Sequence, residues 1–403
     1  MLLRSATLDD GRVVDVRLRG DVIESVEPAL SAQDGETVLD LDGQLLLTAM
    51  AEPHAHLDKA FLSERIANPT GDLMGAIIAM AGHRHLITYA DTVERAERAV
   101  RLMVANGATL IRSHADTTIE NGLMSVQALS EVRSRVADIC DLQIVSLVSW
   151  PVTGAAGADN RALLRDALDA GADIVGGCPH LDDDPHEANE VLLGIAGDAG
   201  RDVDLHTDET LDSNKLSLED LANRIIATGF PHRVTASHCV SLGMQPEIRQ
   251  RHVAELVAEA GISVVALPHT NLFLQGREHQ HAMPRALTAV KALTSAGVNL
   301  CAGADNLQDP FNPMGRADPL ETAALMVMAA HLLPQAAFDT VSGCARGALV
   351  GSGRRIAPGQ PGELVAIPAA TVREAIAFAP GGRTVIHQGR VVSGSSPQDE
   401  INC

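Results

Sequence analysis

The sequence predicts an α/β fold: a (β/α)8 TIM barrel with a small β-sandwich formed by both termini. Three observations carry the prediction. Apolar runs of five to eight residues alternate with stretches of helical period, eight times over the middle of the chain. Gly107, Gly171, Gly261 and Gly297 each stand between a helical stretch and the next apolar run, where a helix C-terminal cap belongs. The two ends of the chain read as short strands only, and neither has enough of them to bury a face alone.

Taken in order, Val13, Val14, Asp15, Val16, Arg17 and Leu18 alternate in and out, as do residues 37–41, with Gly11, Gly20, Gly35 and Gly43 as punctuation. Barrel strands are expected at 44–50, 108–113, 142–149, 173–178, 202–206, 233–238, 262–267 and 298–304, and a helix at 92–106. Residues 363–367, 384–387 and 390–392 return to short strands. The expected division is 1–50 with 350–403 as the composite sandwich, and 51–349 as the barrel. A doubly wound open sheet is the alternative architecture. The run Asp182, Asp183, Asp184, Pro185 reads as a solvated loop.

Composition narrows the function classes. Hydrophobic residues are 46% of the 403 and aromatics 2%, so the core is aliphatic and stacking platforms for single-stranded nucleic acid are nearly absent. A net charge of −21 repels nucleic acid and acidic membrane surfaces. Six cysteines (140, 178, 239, 301, 344 and 403) show no C-x-x-C spacing and sit mostly in apolar strands, which suits reduced thiols. The start of the chain has no signal-type apolar core, and the longest apolar stretch, 323–333, is too short to span a bilayer. A cytoplasmic protein with no membrane partner is the expectation.

Chemistry concentrates at the C-terminal ends of the expected strands, the face on which barrel active sites form. His54 and His56 follow strand one, His114 and Asp116 strand two, His206 and Glu209 strand five, His238 strand six and Asp305 strand eight. On extended chain, positions i and i+2 face the same side, so His54 and His56 can share one divalent cation. His206 and Asp305 would complete a set of three imidazoles and a carboxylate with a position open to water. Such an ion lowers the pKa of water from 15.7 to about 7 and makes hydroxide available at neutral pH. Asp305 can also take the water proton, His238 can steer the hydroxide and steady the oxyanion, and Glu209 can protonate a ring nitrogen or leaving amine. Strand four has no lysine and strand three no glutamate to bridge two ions, so one metal is expected. G-x-S-x-G, G-x-x-x-x-G-K-[ST] and G-x-G-x-x-G are all missing.

The strings Glu52-Pro53-His54-Ala55-His56-Leu57-Asp58-Lys59, Ser113-His114-Ala115-Asp116, His206-Thr207-Asp208-Glu209, Ser237-His238-Cys239, Leu274-Gln275-Gly276-Arg277 and Gly303-Ala304-Asp305-Asn306, with Asp309-Pro310-Phe311, resemble the amidohydrolase superfamily. Within it they are similar to the cytosine deaminase-like branch, and the His-x-His-x-Asp-Lys string to hydrolases of N-isopropylammelide type. The resemblance implies a mononuclear zinc or iron hydrolase of C–N bonds outside peptides. Its metal ligands would be His54, His56, His206 and Asp305, its proton shuttle Glu209, and its assisting imidazole His238. The implied reaction is deamination of a small pyrimidine- or triazine-like amino ring, releasing ammonia or an amine.

Two departures point away from cytosine itself. No glutamine follows strand three, where Ser149-Trp150-Pro151-Val152-Thr153 stands, and Asn306 replaces the aspartate that commonly follows the last ligand. Gln275, Trp150, Asn306, Phe311 and Lys59 are the candidate substrate contacts. Ring-opening hydrolysis of a cyclic amide and a non-catalytic binding or scaffold role are the alternative readings. Association into a homo-oligomer is a further expectation.

Overall fold

The structure is a computed structural model that describes residues 1–353 and 355–394. Cys403 lies outside the described residues. In chain order the strands are β1 (Leu2–Thr7), β2 (Val13–Arg19), β3 (Val22–Glu27), β4 (Val38–Asp40) and β5 (Leu45–Thr48), then the barrel strands β6 (Met50–Ala55), β7 (Ala108–Thr117), β8 (Asp141–Val148), β9 (Ile174–Gly177), β10 (Asp202–Thr207), β11 (Val234–His238), β12 (Ser263–Ala266) and β13 (Leu300–Ala302), and finally β14 (Leu364–Ile367), β15 (Thr384–His387) and β16 (Arg390–Ser393). Among the described residues β6 to β13 lie side by side in chain order. Each neighbouring pair runs parallel, as right-handed β-helix-β crossovers require. The ring closes through one bridge, Ala55 to Asp305: Asp305 N–H donates to the His54 carbonyl (2.9 Å) and His56 N–H to the Asp305 carbonyl (3.2 Å). The fold is therefore the expected TIM barrel.

Strands from both termini join in one mixed sheet, ordered β16, β15, β14, β5, β1, β2, β3, with β4 added to β1. Side-chain alternation serves two cores at once. Leu46, Leu364 and Ala366 pack with Leu3, Val16 and Ile23 inside the curled sheet, while Leu45, Leu47, Val365 and Ile367 pack against the barrel's own core. Buried Arg17 holds Glu36 through both carboxylate oxygens (2.8 and 3.0 Å) across this sheet.

The run expected as one strand at 44–50 divides instead. Residues 45–48 pair antiparallel with β14 in the terminal sheet, and the barrel begins at Met50. Both halves are buried and apolar, and the switch falls at Ala49, whose N–H donates to the Glu363 carbonyl (2.9 Å). The acidic run at 182–184 is not simply solvated. Asp182 is buried, accepting from Val152 N–H (2.6 Å) and Thr153 Oγ1 (2.5 Å), and Asp184 caps the helix Pro185–Ala199. No helix among the described residues is long and apolar enough to cross a membrane.

Candidate active site

The closing bridge sets the first donors. His54 and His56 come from β6 and the residue beyond it, and Asp305 from the loop after β13. His206 enters from β10. Asp305 Oδ1 lies 3.2 Å from His56 Nε2 and 3.6 Å from His54 Nε2, and His56 Nε2 lies 3.2 Å from His206 Nε2. All four side chains are buried. Among the described residues, His54 Nε2 and both oxygens of Asp305 have no hydrogen-bond partner.

This arrangement fits a divalent cation. Burial, and then repulsion among neighbouring imidazoles, holds His54 and His206 well below the ordinary histidine pKa, so their lone pairs are free. Burial pushes Asp305 up, but His56 and His238 outweigh it and keep the carboxylate ionised. Neutral imidazole nitrogens meeting unpartnered carboxylate oxygens form a donor set that a buried site tolerates when a cation completes it. Ligand atoms of His54, His56 and His206, and of His54, His238 and Asp305, lie within 4.8 Å of one another.

Beneath the cluster, buried polar groups orient it. His54 Nδ1 lies 2.9 Å from Ser237 Oγ, and Ser237 Oγ donates to Asp204 Oδ1 (3.0 Å). With its hydroxyl proton directed to Asp204, Ser237 accepts from His54 Nδ1–H, which leaves the Nε2 lone pair toward Asp305. Arg112 anchors Asp204 (2.8 Å) and also donates to Thr235 Oγ1 (3.1 Å). Burial pushes Asp204 up to about 6, against the pull of Arg112. His114 stacks on His54 at 3.9 Å between ring centres, and His180 Nδ1 meets the His206 carbonyl (3.0 Å). Glu52 ties the seam from below, accepting from the N–H groups of His54 (3.1 Å) and Ala304 (3.0 Å). A Cβ on Gly303 would come within 2.5 Å of Glu52 Oε1, so only glycine leaves room there.

His238 and Glu209 stand on the open side. His238 Nδ1 lies 3.1 Å from Asn271 Oδ1 and 3.5 Å from Glu209 Oε1, while its Nε2 lies 3.9 Å from Asp305 Oδ2. Burial lowers the His238 pKa. Burial, reinforced by Asp305, raises Glu209 well above an ordinary carboxyl. Glu209 therefore keeps its proton to higher pH than a solvated glutamate.

These groups open into a cavity of about 540 Å³ that His56, Lys59, Trp150, His206, Glu209, His238, Asp305, Asn306 and Phe311 all line. Lys59 is buried and ion-paired with Asp116 and Asp58; burial disfavours its charge, but the two carboxylates outweigh this and raise its pKa. Asn306 donates to Asp309 (2.7 Å). Gln275 does not line the cavity. Its amide faces Asn271 Oδ1 at 3.4 Å, one residue removed from His238, because the helix Pro268–Leu274 ends just before it.

The sequence reading missed Arg112, Asp204 and Asn271, and the wall made by the helix Leu73–Gly82, which gives Leu73, Ile77, Met80 and Ala81 to the cavity. A signal existed for two of them. Arg112 and His114, like Asp204 and His206, are two residues apart on one strand and so share its inward face.

Comparison with known proteins gives the family of the chain. A model of the amidohydrolase family matches residues 62–393. The chain is 34% identical over 391 residues to a pterin deaminase of Rhizobium rhizogenes, covering 95% of this chain and 88% of that protein. The crystal structure of 5-methylcytosine deaminase from Klebsiella pneumoniae liganded with 5-fluorocytosine superposes with a TM-score of 0.90 at 29% identity, covering 98% of each chain. That of N-isopropylammelide isopropylaminohydrolase from Burkholderia multivorans does so at 0.84 and 29%, again over 98% of each. The chain belongs to the amidohydrolase family, in its cytosine deaminase-like branch, and is a hydrolase of carbon–nitrogen bonds other than peptide bonds.

Proposed function

We propose that the protein hydrolytically deaminates a small amino-substituted nitrogen heterocycle of pyrimidine, triazine or pterin type, with one zinc or ferrous ion held by His54, His56, His206 and Asp305. The observation that carries this reading is the placement of Glu209, whose carboxyl pKa burial raises, beside His238 and the four-donor cluster, at one cavity that Trp150 and Phe311 also line. The names of the relatives support it: they are a pterin deaminase, a 5-methylcytosine deaminase and an N-isopropylammelide isopropylaminohydrolase.

When bound, the ion supplies Lewis acidity that brings the pKa of water near 7. The residues supply the rest. His238, its Nδ1 proton committed to Asn271, offers Nε2 as an acceptor that aims the attacking water, which favours the steering role over oxyanion donation. Asp305 accepts the proton that water gives up. Glu209 gives its proton to the ring nitrogen next to the amino-bearing carbon; the proton taken by Asp305 then passes to the amino group as it leaves, and the proton of the added hydroxyl returns to Glu209 as the carbonyl forms. Water oxygen bonds to that carbon, the C–N bond to the amino group breaks, and the products are ammonia and a ring carbonyl. Trp150 and Phe311 offer apolar faces to a flat ring, and Lys59 with Asp116 offers a donor beside an acceptor for a ring amide edge.

The test is an ammonia- and amine-release screen of pterin, 5-methylcytosine and N-alkylated aminotriazines on protein loaded separately with zinc and ferrous ion. Equimolar ammonia or amine with an intact ring is expected. An opened ring without ammonia, or no turnover by metal-replete protein, overturns the reading.

A further inference from the structure

The cavity is larger than the deamination chemistry uses. Its volume of about 540 Å³ falls within the range of pockets that enclose ligands of drug size, about 300–1,000 Å³. The catalytic groups account for one set of its lining residues. A second set is apolar, with Leu73, Ile77, Met80 and Ile87 as its members, and Arg84 stands with them. All come from the segment between β6 and the helix Tyr89–Ala105, outside the repeating barrel.

Arg84 has no role in the reaction described above, and its side chain has no partner among the described residues. The residue is half-buried, its carbonyl accepts from Ile87 N–H (3.0 Å), and among the described residues its guanidinium enters no hydrogen bond or ion pair. Lys59, the other lysine or arginine of the cavity, is already neutralised by Asp58 and Asp116. In a chain of net charge −21, most guanidiniums find a carboxylate, as Arg95 finds Asp91 and Arg112 finds Asp204. A guanidinium left open beside an apolar wall has the planar donor fork that binds carboxylate two bonds at a time. Glu120 also lines the cavity but is exposed, where solvent and salt screen its charge.

We propose that Arg84 and its apolar wall form a substituent subsite that selects heterocycles bearing an anionic group, a carboxylate above all, away from the amino-bearing ring. The proposal rests on the deaminase reading above.

Paired probes test it: steady-state ammonia release from pterin and from pterin-6-carboxylate, by wild type, Arg84→Ala, Arg84→Lys and Glu120→Gln, each metal-loaded. Wild type is expected to show the lower KM for the carboxylate. Arg84→Ala should shift the KM ratio of the two substrates against the carboxylate by about 10–100-fold, the worth of a charge-assisted hydrogen bond. Arg84→Lys should restore part of that shift. Glu120→Gln should move the ratio the other way and by less. If wild type treats the two probes alike, or Arg84→Ala leaves their ratio unchanged, the subsite is refuted while the deaminase reading stands. If neither probe yields ammonia, the pterin arm of that reading fails and the subsite with it.

Discussion

The main-chain N–H of Asp305 donates to the carbonyl of His54 at 2.9 Å, so the hydrogen bond that closes the barrel also sets two members of the donor cluster side by side. Their side chains meet at 3.6 Å. The positions of these two donors are thus tied together by a main-chain bridge between β6 and the loop after β13, and not by their side chains alone.

Replacing a donor should therefore remove the ion without dissolving the barrel. His206→Ala and Asp305→Ala are each expected to lose bound zinc or iron and all turnover while keeping the circular dichroism of the parent. Metal analysis by mass spectrometry checks this; a fully loaded Asp305→Ala protein would contradict the assignment.

Glu209→Gln separates proton transfer from ion binding. The expected variant keeps its metal and loses about 10²–10⁴ in kcat, the usual worth of a positioned acid–base group. Because Glu209 is raised by burial and by Asp305, the parent's activity should fall as pH rises through the raised pKa and the acid form is lost. That limb should be missing from the pH profile of the glutamine variant.

Ser237→Ala tests the support beneath the cluster. Without the hydroxyl, His54 Nδ1–H loses its acceptor and Asp204 one of its donors. Metal affinity is expected to weaken about 10–100-fold, as when a partner that orients a ligand is removed. Competition with a chelator measures it on protein whose thermal midpoint is followed in parallel.

A stability prediction concerns the terminal sheet. The Arg17 guanidinium, and then the Gln33 N–H, hold Glu36 down to about 2 from an ordinary 4.5. The folded pKa is the depressed one, so the stabilisation is complete above pH 4.5 and is lost as pH falls from there through 2. The thermal midpoint of the parent should exceed that of Glu36→Gln at pH 7, and the gap should narrow as pH falls below 4.5 and close only below about pH 2.

What the sequence made legible follows from periodicity. The histidines stand at strand ends because β/α alternation announces those ends, and His54, His56, His206 and Asp305 converge because a barrel turns every strand end toward one mouth. Less visible was whatever depends on which sheet a strand joins or where a loop folds. The apolar run at 44–50 carries no mark of its switch at Ala49, since both sheets bury it. Asp182 looks like any acidic loop residue until Val152 and Thr153 come to it from another connection. Arg84 and the helix Leu73–Gly82 belong to an insertion outside the repeating pattern, so no period places them over the cavity.

Trp150 is the single tryptophan of the chain, and it lines the cavity. Ultraviolet emission excited at the indole band therefore originates at one known place. A molecule entering the cavity changes the surroundings of that one fluorophore, so quenching titrations can report occupancy without a label, on inactive variants as readily as on the parent.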